Sequence, residues 1–350
     1  MKVTTEEIAR HLGINRSTVS RALQGKLVSA RTIERVRAAA EELGYQPNVG
    51  ARIMATGRTG MYGLLIPRAS NPYFGRVIDR MQALALEDGY HIALGCYLEN
   101  FEEYARYVDL FARQRRVDGL IIFPMHAPRM IEPIVALPER HVPIVVMGEC
   151  LNERVHWAGT NIEMGWYAMT RHLLDLGHRR IGAVIDLLGT GMTGQMTSID
   201  RSLMPPGDGR HSGLVRALAE RGEELAPDGL VLCASTLQGG LAAGRRLLDQ
   251  NPRPTAIFAG NDLLAMGVIR AAQERGLRVP DDLSLAAYDN ADYAELYDLT
   301  TVENLTDEIV GAPLRILRRV LEAKGEPIGQ QSILLKPELV IRGSTIPYEG

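Results

Sequence analysis

The sequence predicts two kinds of structure in one chain: an N-terminal all-α helix-turn-helix head, and behind it a two-lobed α/β core with parallel sheets. Three observations carry this expectation. Residues 4–25 read as a capped helix, a glycine turn and a second helix; from Met61 onward apolar runs alternate with amphipathic stretches; and charge divides between the two parts.

In the head, Thr4 can cap a first helix and Glu7 can close a capping box, while Ile8, Ala9 and Leu12 form one apolar stripe. Gly13 supplies the break. Asn15 is placed to cap a second helix whose Val19, Ala22 and Leu23 face inward, leaving Arg16, Ser17, Ser20, Arg21 and Gln24 pointing out. Short polar side chains and arginines at the start of a second helix are what a DNA-reading helix presents to base edges and phosphates. A third amphipathic helix is expected from a cap at Ser29 to Leu43, with Gly44 at the stop.

Tyr45 to Asn48 end this bundle, Val49 to Thr56 have helical potential, and Gly57 to Gly60 form a flexible exit. The expected divisions are a head over 1–47, a hinge over 48–58 and a core over 59–350. Core strands are predicted at Tyr62–Ile66, Tyr90–Gly95, Gly119–Phe123 and Ile144–Gly148. A second series covers Ala158–Thr160, Ile181–Ile185, Leu230–Cys233, Ala256–Ala259 and Leu283–Tyr288, with helices between, among them 75–87, 165–176 and 263–275. Two successive sets predict two similar lobes, the first over about 61–159 plus 291–323 and the second over about 160–290 plus 324–345. A ligand would bind beyond the carboxyl ends of their strands.

The 350 residues suffice for such an arrangement, and the formal net charge of -3 conceals a division. Residues 1–58 hold ten basic and five acidic residues, which leaves 29 basic against 37 acidic in the remainder. A basic head on an acidic body suits a phosphate-binding module joined to a small-molecule domain. Cys96, Cys150 and Cys233 are widely spaced with no CxxC pair, which points to structural thiols in a reducing cytoplasm. No secretory signal and no membrane-spanning apolar run is read in the sequence. Metal-ligand spacing, a nucleophile elbow and a Walker loop are likewise missing, so neither an enzyme nor a cofactor or metal is expected.

Seven strings in order, STVSRAL (17–23), AAAEELGYQPN (38–48), SNPYF (70–74), RVDGLI (116–121), LGHRRI (176–181), Asn261-Asp262 and VIRGST (340–345), make the chain resemble the LacI/GalR family of bacterial transcription regulators over essentially its whole length. The resemblance implies a homodimeric repressor with a DNA head, a hinge helix and a core like periplasmic sugar-binding proteins. Its operator would be an inverted repeat of double-stranded DNA. By position Arg16, Ser17 and Arg21 look like the residues that reach bases in the major groove, where arginine can bond a guanine twice. Phosphate contacts would use the same arginines. Asn48 falls in the segment that leads into the hinge. Met54 matches the apolar side chain that wedges open a minor-groove base step, the alternative being that it only packs.

The resemblance places effector contacts at Tyr73 and Phe74, after the first strand, and at Arg210 and Asp289. Arginine offers a rigid fork of donors and aspartate accepts from hydroxyls, so the pair suits an oxygen-rich molecule, a sugar or sugar acid before a purine-type co-repressor. A structural salt bridge is the other use for these two. Asn261 and Asp262 open a helix, one able to cap it and the other to face the cleft. Two positions depart from the family: Asn161, near which aspartate is usual, and Ser235, where several relatives place a stacking aromatic. The stretch 187–209 is longer than the family norm and contains a formal GxGxxG at 189–194. It runs into Pro205-Pro206 rather than a helix, so it reads as a loop near the cleft and not as a nucleotide fingerprint. A nucleotide- or sugar-using enzyme and a solute-binding protein are the competing classes. The first has no supporting constellation, and the DNA head together with the absence of a readable secretory signal argues against the second.

Overall fold

The computed structural model describes residues 3–23, 27–45, 53, 56–98, 100–124, 128–137, 142–148, 154–187, 195–204, 207–304, 306–323, 326 and 328–349. Met1–Thr59 and Gly60–Gly350 are two separate compact units.

In the first unit, helix α1 (Thr5–Leu12) opens on a closed capping box. Glu7 N donates to Thr4 Oγ1 at 3.3 Å and Thr4 N donates to Glu7 Oε2 at 2.7 Å, which satisfies two amide hydrogens that the helix geometry orphans. Gly13 ends the helix at φ +64, a left-handed conformation that a β-carbon would penalise. Asn15 precedes α2 (Arg16–Leu23), and its carbonyl accepts from Thr18 and Val19. Ser29 Oγ caps α3 (Ala30–Glu42) by accepting from Thr32 N at 3.3 Å. The three helices close on Ile8, Ala9, Val19, Ala22, Val36, Ala39 and Ala40, a small core of mostly short side chains. Beyond it Ile53 and Thr56 are helical, and Gly57 N donates to Ile53 O at 2.7 Å before the chain turns at φ +66. Most of the expected hinge helix, with Asn48 and Met54, lies outside the described residues, as does Gln24.

The second unit contains two sheets. β1 (Met61–Ile66), β2 (His91–Cys96), β3 (Gly119–Ile122), β4 (Ile144–Met147), β5 (His156–Thr160) and β12 (Ser332–Leu335) form one, in the order β12-β5-β4-β3-β1-β2, with every pair parallel. β6 (Ile181–Asp186), β7 (Thr197–Ser198), β8 (Leu230–Cys233), β9 (Ala256–Ala259), β10 (Ser284–Asp289), β11 (Thr300–Glu303) and β13 (Glu338–Val340) form the other, in the order β13-β11-β10-β9-β6-β8-β7. Only β13 and β7, at its two edges, pair antiparallel. Central strands such as β3, β4, β8 and β9 are buried along their whole length, because helices cover both faces of each sheet.

The chain passes from the first sheet to the second after β5, returns after β11, and crosses again between β12 and β13. This corrects three assignments made from the sequence. Ala158–Thr160, expected to open the second series, belongs to β5 of the first sheet. Thr300–Glu303, expected in the first lobe, is a strand of the second, and Ser332–Leu335, expected in the second, is an edge strand of the first. β12 alternates exposed and half-buried residues and so lacks the continuous apolar run that marks the central strands. Cys233 is buried on β8 and Cys96 half-buried at the end of β2, while Cys150 lies outside the described residues. Among the described residues no helix is long and apolar enough to cross a membrane.

Candidate functional site

On α2 the structure exposes Arg16, Ser17 and Arg21 and half-buries Ser20, while Val19 and Ala22 face the core. Arg16 Nε donates to Thr5 Oγ1 at 3.3 Å, which ties the start of α2 to the start of α1. A basic, outward edge of short side chains results.

In the second unit a cavity of about 110 Å³ lies where the carboxyl ends of both sheets converge. β1 leads through Pro67 and Arg68 to Asn71, whose side chain caps the helix Pro72–Glu87 by accepting from Tyr73 N at 3.0 Å. That cap points Tyr73 and Phe74 inward. Phe123, just past β3, meets them edge-on, with ring centroids 4.8 Å from Phe74 and 6.1 Å from Tyr73. The other wall comes from the second sheet: Asp186 ends β6, Ser235 follows β8, Gly260 and Asn261 follow β9, and Tyr288 and Asp289 end β10. Ile162 and Trp166, from the helix Ile162–Asp175, close the side, and Trp166 packs on Phe258 at 4.0 Å between centroids.

Arg210 sits in this wall, 7% exposed, on the helix Gly209–Ala219. Its fork holds Asp208, with Nε at 3.0 Å from Oδ1 and Nη2 at 2.6 Å from Oδ2, while Nη1 donates to the Asp186 carbonyl at 2.9 Å. Asp208 also caps that helix by accepting from Arg210 N at 2.9 Å. The arginine therefore braces two carboxylates at the cavity edge.

Asp289 differs. No hydrogen bond or ion pair from the described residues reaches its carboxylate, and its backbone stands at φ +100, strained for a residue with a β-carbon. Burial first, then the Asp262 and Asp186 carboxylates, hold its carboxyl well above the usual range, with Arg76 pulling the other way. Asp262 is pushed up to about 7 by burial, although Ala291 N at 2.5 Å and Thr301 Oγ1 at 2.8 Å both donate to it. It thus fastens β11 and the turn after β10, and does not line the cavity.

Of the residues singled out in the sequence, the structure brings Tyr73, Phe74, Arg210, Asn261 and Asp289 together at the cavity. Asn261 both lines it and caps the helix Asp262–Gln273, its Oδ1 accepting from Leu264 N at 2.9 Å while Nδ2 donates to Ser235 Oγ at 3.1 Å. Asn161 is a correction. It caps the helix Ile162–Asp175 by accepting from Met164 N at 2.9 Å and is not among the cavity residues, because the chain turns away from the strand end one residue before Ile162. Sequence reasoning missed Asp186, Asp208, Phe123, Trp166, Tyr288 and Asn304. Phe123 and Tyr288 fall at strand ends that the apolar runs had located, so strand-end position alone could have found them; Trp166 and Asp208 carry no such signal. The GxGxxG at 189–194 lies outside the described residues.

Comparison with known proteins agrees with this layout. Residues 4–48 match the family model for bacterial regulatory proteins of the lacI family, and residues 170–345 match the periplasmic binding protein-like domain. An HTH-type transcriptional repressor PurR from Erwinia tasmaniensis is 33% identical over 354 residues, covering 99% of this chain and 98% of its own. Among solved structures, the transcriptional regulator CelR in complex with cellobiose is 27% identical with a TM-score of 0.68, covering 98% of this chain and 100% of its own. The lac repressor dimer bound to operator and the anti-inducer ONPF superposes with a TM-score of 0.82 at 23% identity, covering 99% and 100%, which speaks to the fold.

Proposed function

The chain belongs to the lacI family of bacterial regulatory proteins, and from that premise we propose that the cavity between its two sheets is the effector site and that its occupancy changes the affinity of the helix-turn-helix head for operator DNA. The observation that carries this is the convergence of both sheets' strand ends on one half-open cavity, lined by rings on one side and polar groups on the other. A sugar or sugar acid suits those walls. The CelR complex with cellobiose supports a sugar. Repression rather than catalysis is the reading that the PurR relative, a transcriptional repressor, supports.

The protein works as a homodimer on an inverted repeat, because a twofold dimer reads two half-sites. Arg16, Ser17, Ser20 and Arg21 carry the base and phosphate contacts; Gln24 and Asn48 extend them, and Met54 wedges the minor groove. Footprinting on selected operator fragments tests the DNA side, and a footprint without dyad symmetry counts against it. Arg21→Ala is expected to lose about 1–3 kcal/mol on the cognate site and to relax preference at one position. Equal loss on random DNA would assign Arg21 to phosphate instead. Thermal shift and operator release measured with sugars, sugar acids and purines test the cavity side.

A further inference from the structure

We propose that the second sheet carries a further ligand site at its opposite end, where a cavity takes a small molecule bearing a phosphate or carboxylate group on Arg180 and Arg253. The strands β6, β9 and β10 finish at the cavity between the two sheets. Their amino ends open on another cavity of about 300 Å³, against about 110 Å³ for the first. Arg180 stands just before β6, Thr255 just before β9 and Ser284 at the start of β10, while the tail Ile346–Tyr348 lines one side. A ligand here is separate from the effector and does not depend on that reading.

The floor of this cavity is satisfied from within. His178 is buried, with Nε2 3.1 Å from the Ile346 carbonyl and Nδ1 3.0 Å from Thr255 Oγ1, and Tyr348 stacks on its ring at 5.6 Å between centroids. Burial pushes the imidazole below its ordinary value, so the ring is neutral. A carbonyl only accepts, which puts the one ring hydrogen on Nε2 and leaves Nδ1 to accept from the threonine hydroxyl. Ser284 Oγ accepts from Ile346 N at 3.0 Å and fixes the same tail. His178 and Ser284 thus hold the wall and are not left for a ligand.

Two guanidinium groups remain. Arg180 uses Nε on the Arg253 carbonyl at 3.2 Å, and Arg253 uses Nη1 on the Asp282 carbonyl at 2.8 Å. Among the described residues neither makes an ion pair, although Asp281 and Asp282 line the same cavity. Both carboxylates are turned to Arg278, which donates to Asp282 Oδ2 from its backbone N at 2.9 Å and its Nε at 3.2 Å, and whose Nη1 stands 3.0 Å from Asp281 Oδ2. Those contacts hold the Asp282 carboxyl below its usual range, with Arg253 adding a smaller share. Counting Arg278 with the groups it holds, three cations face two carboxylates. Of the neighbouring charges, Arg179 is turned to Glu223 at 3.4 Å, and Glu349, beyond the tail, is exposed to solvent. Planar forks whose remaining N–H groups have no acceptor match the oxygens of a phosphate or carboxylate. Pro252, Pro280 and Pro347 add apolar surface for the rest of the molecule.

The test is calorimetric titration of the full chain with inorganic phosphate and with citrate, in chloride buffer at constant ionic strength. Saturable binding of at least one probe is expected, weakened about tenfold or more in Arg180→Gln and in Arg253→Gln. The tighter probe tells a phosphate from a carboxylate. Arg253→Gln also loses the bond to the Asp282 carbonyl; Arg180→Gln changes an exposed side chain and decides the case if the other variant unfolds. Arg68→Gln, in the cavity between the sheets, should leave this binding as it is. Loss in Arg68→Gln with none in Arg180→Gln would place the anion in that cavity and overturn the proposal. Heat that never saturates, or that is equal in the wild type and every variant, would mean an adventitious ion only and overturn it as well.

Discussion

At the strand ends of the first sheet the cavity wall is three rings, Tyr73, Phe74 and Phe123, with centroids 4.8 to 6.1 Å apart and edges turned to faces. At the strand ends of the second it is Asp186, Arg210, Ser235, Asn261 and Asp289; Arg210 bonds Asp186 and Asn261 bonds Ser235, while among the described residues none bonds the Asp289 carboxylate. Both walls sit on parallel strands followed by capped helices, so the architecture is shared and the chemistry is not. Ring contacts are tolerant of orientation, whereas a fork on a carboxylate fixes direction. The first wall therefore supplies adhesion and the second supplies selection, and within the second wall the braced groups hold the shape while Asp289 is left to the ligand.

The largest effect that tests this division is at Arg210. Replacing it with alanine leaves Asp208 and Asp186 buried at the cavity edge without their shared cation, and breaking such a pair from one side costs about 3–5 kcal/mol. Urea unfolding should register that loss together with a lost ligand response. A stable Arg210→Ala protein that merely fails to bind would show that the arginine serves the ligand and not the wall.

Asp262 gives the next effect, read through pH. Its folded pKa of about 7 lies above the ordinary 3.8, so its contribution to stability is fully present below about pH 4 and is lost as pH rises toward 7. Asp262→Asn cannot titrate. The variant is therefore expected to gain on the wild type between pH 5 and pH 8 in urea unfolding, with the difference levelling above pH 8. A difference that stays constant across that range would mean the carboxylate is not held high by the fold.

How much of this was readable beforehand follows from where the information is local. The head is written in short-range chemistry: Thr4 with Glu7, Gly13 at φ +64 and Ser29 with Thr32 each act within four residues, so the sequence alone locates them. Central strands are as legible, since burial on both faces demands continuous apolar runs. The crossings are not. Whether Thr300–Glu303 joins β10 or the first sheet depends on partners far along the chain, and β12, exposed at alternate residues, lacks the apolar run that would declare it. The same limit applies to the polar wall. Arg210 could be picked out by family position, but its hold on Asp208 and on the carbonyl of Asp186, 24 residues away, belongs to the folded chain.

The smallest expected effect is at Ser235, where the hydroxyl oxygen accepts from Asn261 Nδ2 at 3.1 Å. Ser235→Ala removes that acceptor and leaves one buried amide hydrogen unpaired, while the bond from Leu264 N to Asn261 Oδ1 at 2.9 Å still caps the helix Asp262–Gln273. With the cap intact, the loss of stability should stay near the lower end of the cost of an unsatisfied buried donor, about 1 kcal/mol. Selectivity should change more than stability. Asn261 and Ser235 both line the cavity, so the thermal shift produced by a bound ligand should change more than the melting temperature of the empty protein does. If the ligand-induced shift is unaltered, Ser235 and Asn261 are only part of the helix start.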